Sequence, residues 1–140
     1  MEFRARIGAG KSLDGQVDSP LPMLDARLAD QWFADGDADD QAMDRTMVTA
    51  LRTDVAPRLA SLQNTVTTVT AKDAVHELHK LRGAVASFGF SASAQNLERL
   101  EHNWLQLSSE ERVTGLKTAY ETFLAGLNEL LRRFPHLGEP

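Results

Sequence analysis

The stretch VTGLKTAYETFLAGLNELLRRF (113–134) decides the fold. Its apolar residues Val113, Leu116, Tyr120, Phe123, Leu127, Leu130 and Phe134 recur at alternating steps of three and four. That spacing is the seam one helix presents to its neighbours in a bundle. Pro135 follows at once and stops it. Ser108 and Glu111, three apart just ahead of the seam, have the spacing of a capping box.

Working back from there, the same period recurs. A fourth helix is expected from about Ser93, with Leu97, Leu100, Trp104 and Leu107 as its stripe. A third follows Thr70 and Asp73, again spaced as a capping box, and Gly89 ends or bends it. A long second helix carries Met43, Met47, Leu51, Val55, Leu59, Leu62 and Val66, with Pro57 expected to kink it or divide it in two. A short first segment, LDARLADQWF (24–33), sets Leu24, Leu28 and Trp32 four apart. No segment alternates as a strand, and the connections are short. The expectation is an all-α, up-and-down antiparallel four-helix bundle over residues 23–137, with a short additional N-terminal helix. Residues 1–22, with three glycines, two prolines and no sustained period, read as a flexible linker or N-terminal extension.

Composition narrows the function. The net charge of −5 and a sequence pI near 5.3 argue against nucleic acid or an anionic membrane as partner. Without cysteine there is no disulfide or thiolate chemistry. No apolar run approaches the roughly 20 residues of a membrane span, and the N-terminus lacks a signal peptide's apolar core. A cytoplasmic protein is expected, either by itself or as the cytoplasmic part of a membrane-bound sensor kinase.

Three stretches imitate known sites. RIGAGKS (6–12) ends like a phosphate-binding loop, but Ala5 stands where the first glycine is required and no strand precedes it. DGDADD (35–40) has the look of a calcium loop, yet Asp40 and Thr46 occupy the positions of its glycine and glutamate. An acidic cap ahead of a helix is the simpler reading. His76 and His79 are three apart on one helix, but no third ligand is spaced to join them, so no metal is expected. His102 and His136 have no organised neighbours in sequence and read as surface residues.

The third helix holds the more informative pattern, HKLRGAVASFGF (79–90). At about 100° per residue, Ala74, Leu78, Leu81, Val85 and Phe88 share one buried side. His79 lies roughly 130° from the centre of that stripe and faces solvent. Arg82 and Gly83 are one turn ahead of it, Ala86 and Ser87 two turns ahead, and His76 and Lys72 behind. A glycine inside a helix costs about 1 kcal/mol relative to alanine. Because Gly83 does not point into the core stripe, the cost is best explained by a partner approaching the backbone beside His79. An imidazole in water is substantially neutral at physiological pH and so a nucleophile. A cation at i+3 is placed to offset the charge of a phosphoryl group on the ring.

At these residues the chain resembles the histidine-containing phosphotransfer (HPt) domains of two-component phosphorelays. Their motif, His-x-Leu/Ile-Lys/Arg-Gly with a further glycine ten residues after the histidine, is matched by His79, Leu81, Arg82, Gly83 and Gly89. The Phe-Gly-Phe ending is similar to the phosphotransfer domain of chemotaxis kinases. The resemblance implies that His79 is the phosphoacceptor, loaded by a sensor histidine kinase or by the aspartate of a response-regulator receiver domain, and emptied onto another receiver. It implies that Arg82 steadies the phosphoryl group and that Glu101 accepts a hydrogen bond from the other imidazole nitrogen. Lys72, His76, Gly83, Ala86 and Ser87 are the expected docking positions. His76 is the weaker acceptor, since Lys80 and Ala86 stand where its glycines would be required. So read, the chain is a monomeric carrier without its own kinase activity, needing no cofactor and touching neither nucleic acid nor membrane. It is free-standing or the C-terminal module of a hybrid sensor kinase. The alternative is a helical interaction module that binds a receiver-like partner without carrying phosphate.

Overall fold

The computed structural model describes residues 22–34 and 36–138. The expectations for residues 1–21, including the linker and the RIGAGKS stretch, lie outside the described residues. Five α-helices are present among the described residues: α1 (Ala26–Phe33), α2 (Ala38–Asn64), α3 (Ala71–Ser87), α4 (Ser91–Asn103) and α5 (Ser109–Arg133). Single 3-10 turns follow α4 (Trp104–Gln106) and α5 (Pro135–Gly138). No strand occurs among the described residues.

Local chemistry sets each start. Asp37 and Asp40 close a reciprocal capping box on α2, and Ser108 and Glu111 close another on α5. Thr70 caps α3 by accepting the Asp73 N–H at 3.1 Å. Asp37 of the DGDADD run therefore supplies a helix cap, with Asp39 and Asp40 in the first turn where the helix dipole favours negative charge. Between α3 and α4, Gly89 adopts φ +90°, a left-handed conformation that side chains resist. A Cβ there would also press to 3.1 Å on the Asp25 carbonyl. The same turn is tied to the N-terminal segment, since Asp25 N–H donates to the Gly89 carbonyl and Ala92 N–H to that of Pro22.

The helices close a circuit in which α2 packs on α3, α3 on α4, α4 on α5, and α5 back on α2. Within it Leu59, Leu78, Leu81, Val85, Leu97, Leu116, Phe123 and Leu130 are fully buried. Each such aliphatic side chain removed from water contributes about 2 kcal/mol. Gly126 lets Phe90 approach α5 so closely that a Cβ would meet the ring at 2.5 Å.

Four expectations are corrected. In α1 the core takes Ala29 and Phe33, one position on from Leu28 and Trp32. Trp32 stays half-exposed because its indole N–H donates to the Ser87 carbonyl at 2.9 Å, at the rim of the bundle. On α2, Met43 is exposed and Val48 is the first buried residue, because that stretch turns Asp44 rather than Met43 toward the 3-10 turn after α5. Pro57 does not divide α2, which runs unbroken from Ala38 to Asn64. The proline forfeits one hydrogen bond to Thr53, while buried Val55 and Leu59 pin the helix on either side. His136 is not a bare surface residue. The 3-10 turn after α5 buries Leu137 and brings the His136 ring to 4.0 Å from the Asp44 carboxylate. Burial raises the Asp44 pKa above its ordinary value, partly countered by His136.

Candidate functional site on α3

Ala74, Leu78, Leu81 and Val85, all at 0% exposure, fasten α3 to the core at steps of four and three. That fixes its opposite face outward, and the His79 side chain is 61% exposed there. The rotation is braced from α2, where Arg58 grips Glu77 in a two-pronged ion pair, Nε to Oε2 at 2.6 Å and Nη2 to Oε1 at 3.0 Å. The paired guanidinium holds the Glu77 carboxyl below its ordinary range, and the Arg58 pKa rises in return.

On the other flank α4 delivers Glu101, whose side chain is only 13% exposed. Its Oε2 lies 3.0 Å from His79 Nδ1, and its Oε1 lies 3.1 Å from Arg82 Nε. The second contact is an ion pair rather than a hydrogen bond, because the N–H does not point along it. Arg82 Nη2 is itself 2.9 Å from His79 Nδ1, and its Nη1 is 3.7 Å from Glu98. The three residues the sequence singles out as the reactive group are thus in mutual contact.

The two contacts at Nδ1 exclude each other chemically. A neutral imidazole nitrogen carries either a proton or a lone pair. With the proton on Nδ1 the ring donates to Glu101 and leaves the Nε2 lone pair available. With the proton on Nε2 the ring accepts from Arg82 and has no nucleophilic lone pair at Nε2. Glu101 therefore favours the tautomer that reacts at Nε2, and Arg82 favours the other.

The expected docking positions are arranged along the same exposed face. Lys72 and His76 are exposed on the N-terminal side of His79, and Gly83, Ala86 and Ser87 on the C-terminal side. A Cβ on Gly83 would meet nothing within 4 Å. The Ser87 hydroxyl is turned back on the helix, donating to the Gly83 carbonyl at 2.8 Å. Sequence reasoning missed two neighbours. Glu98 is three residues before Glu101 on α4, a spacing that puts both on one face and could have flagged it. Leu105 lies on the turn after α4 and, with Ala71, Lys72, Val75, His76, His79 and Glu101, lines a cavity of about 450 Å³. Nothing in its spacing betrayed it. Among the described residues no three His, Asp or Glu side chains are grouped as a metal would require.

Among its described residues the domain is all-helical and holds an exposed histidine between a carboxylate and a guanidinium. Residues 46–133 match the sequence model of the Hpt domain, and the chain belongs to that family. No match is found among curated proteins or solved structures. Membership points to a phosphotransfer role in two-component signalling. Hpt domains are phosphotransfer carriers, and they typically interact with receiver domains and kinases. Among the described residues no helix is long and apolar enough to cross a membrane.

Proposed function

We propose that the chain is a phosphorelay intermediate in which His79 accepts a phosphoryl group from the aspartate of a receiver domain, or from a sensor kinase, and passes it to another receiver aspartate. The observation that carries this reading is the geometry at His79, an outward ring held through Nδ1 by Glu101 with Arg82 alongside. In loading, the Nε2 lone pair attacks phosphorus. An N–P bond forms, the P–O bond to the donor aspartate breaks, and the aspartate leaves as a carboxylate. The ring becomes cationic with its proton on Nδ1, where the Glu101 carboxylate stabilises it. Arg82 swings from the ring toward the new phosphoryl oxygens, a charge-assisted contact. Transfer to the next receiver is the reverse, so the chain acts as a carrier rather than as a kinase.

The docking face is built from Lys72, His76, Gly83, Ala86 and Ser87, with Gly83 left bare for close approach. The bundle runs up and down with antiparallel neighbours, as short connections and the contact circuit support. It spans residues 23–137, acts as a monomer, and works in the cytoplasm against a receiver. The test is incubation with a phosphorylated receiver domain. The unaltered chain acquires acid-labile, base-stable label, and His79→Gln acquires none while keeping its helical circular dichroism. Labelling of the Gln variant rules the assignment out.

A further inference from the structure

Leu105 is the most exposed of the large apolar side chains among the described residues, at 72%. A single surface leucine is ordinary, but this one is held in place. The preceding residue, Trp104, is buried at 1% and covered by the Arg112 guanidinium, 4.6 Å from the ring centroid. Arg112 also donates twice to the Trp104 carbonyl, at 2.9 and 2.6 Å. With Trp104 locked inward, the next residue on the tight turn is forced outward and kept there. What it faces is the cavity of about 450 Å³ that includes His79. The floor of that cavity is apolar, with Ala71 and Val75 packed partly into the core, and Lys72 and His76 belong to the same lining.

We infer that Leu105 is a docking residue for the receiver domain, an apolar anchor beside the phosphoacceptor that comes from the turn after α4 rather than from α3. This rests on the phosphorelay reading and adds to it the surface that reads the partner. Two observations choose the occupant. The cavity is continuous with His79, and a specific interface covers about 800 Å² on each partner, a disc of roughly 16 Å radius. A receiver that brings its aspartate to His79 therefore covers Leu105 as well. The lining is also complementary, since Lys72 offers a cation to the phosphoryl group on the receiver's aspartate and Leu105 offers apolar area to the surface beside it. A preformed, rigid anchor loses little entropy on binding.

The test compares Leu105→Ala with the unaltered chain using two phosphoryl donors, a phosphorylated receiver and phosphoramidate, a small donor that needs no docking surface. The variant keeps its Tm, its labelling by phosphoramidate and its limiting rate with receiver. It requires about tenfold more receiver for half-maximal rate, the scale of truncating an interfacial anchor. An unchanged receiver dependence overturns the inference and leaves the phosphorelay reading standing. Failure of the unaltered chain to label at His79 with either donor removes both. If the substitution alters sedimentation of the free chain but not its receiver dependence, Leu105 is a contact between copies and the inference falls.

Discussion

Gly83 offers a sharp perturbation because the fold and the function make opposite demands on it. It lies inside α3, where glycine costs about 1 kcal/mol relative to alanine through backbone entropy. A Cβ added there meets nothing within 4 Å, so alanine neither clashes nor gains packing. The Ser87 hydroxyl bond to the Gly83 carbonyl is untouched by the change. The expected gain is therefore the propensity difference alone, about 1 kcal/mol, or fivefold in the folded-to-unfolded ratio. For a domain of this size that raises Tm by about 4 °C. Urea unfolding followed by circular dichroism should show a higher midpoint with an unchanged slope. Gly83→Arg should be stabilising by nearly as much, since arginine's helix propensity is close to alanine's, yet slow phosphoryl transfer from a receiver by at least about tenfold, because its side chain stands where the partner must approach. The reasoning is refuted if Gly83→Ala is destabilising, which would mean the glycine serves the fold. It is equally refuted if the arginine variant transfers at the normal rate.

Three further outcomes follow from the scaffold. Gly89→Ala places a side chain at φ +90° and against the Asp25 carbonyl, and should lower stability by about 2 kcal/mol in urea titration; an unchanged midpoint would contradict the strained turn. Leu81→Ala empties a fully buried site beneath His79 and should cost about 3 kcal/mol, seen as a large drop in Tm. The Arg58–Glu77 pair predicts a pH dependence of definite sign. Because the Glu77 pKa is depressed in the folded chain by Arg58, its contribution is present above the ordinary glutamate range and is lost as pH falls through the folded value. Both side chains are about a quarter exposed, which limits the pair to about 1 kcal/mol. Glu77→Gln should be less stable than the unaltered chain near about pH 7, and the gap should narrow steadily as pH falls below the ordinary glutamate range; a gap of constant size through that fall assigns the loss to something other than the ion pair.

The helical architecture was legible because large apolar residues mark a helix face. Leu116, Phe123, Leu127 and Leu130 are buried as the α5 seam requires. Ala119 and Gly126 are buried between them but carry no hydrophobic signal, so their part in close packing shows only in three dimensions. The register of α1 was misread for a related reason. Trp32 is the larger apolar residue, yet its N–H needs an acceptor, and the Ser87 carbonyl at the rim supplies one while Phe33 goes inside. Met43 misled because an apolar residue at the right spacing still has to lie opposite another helix to be buried. The contact of His136 with Asp44 joins the turn after α5 to α2, and no local pattern encodes it.

At the site, His79, Arg82 and Gly83 were legible as one motif on one helix. The spacing could not show that Arg82 and Glu101 compete for the same ring nitrogen. Nor could it show Leu105, whose exposure follows from the burial of Trp104 and the clamp by Arg112.

The central claim is that His79 carries the phosphoryl group on Nε2 while Nδ1 faces Glu101. Phosphorylating ¹⁵N-histidine-labelled chain with a phospho-receiver and recording ³¹P–¹⁵N couplings tests it directly. One phosphohistidine is predicted, on His79, with phosphorus on Nε2 and the proton on Nδ1. Phosphorus on His76, on Nδ1 of His79, or on no histidine at all would contradict the account.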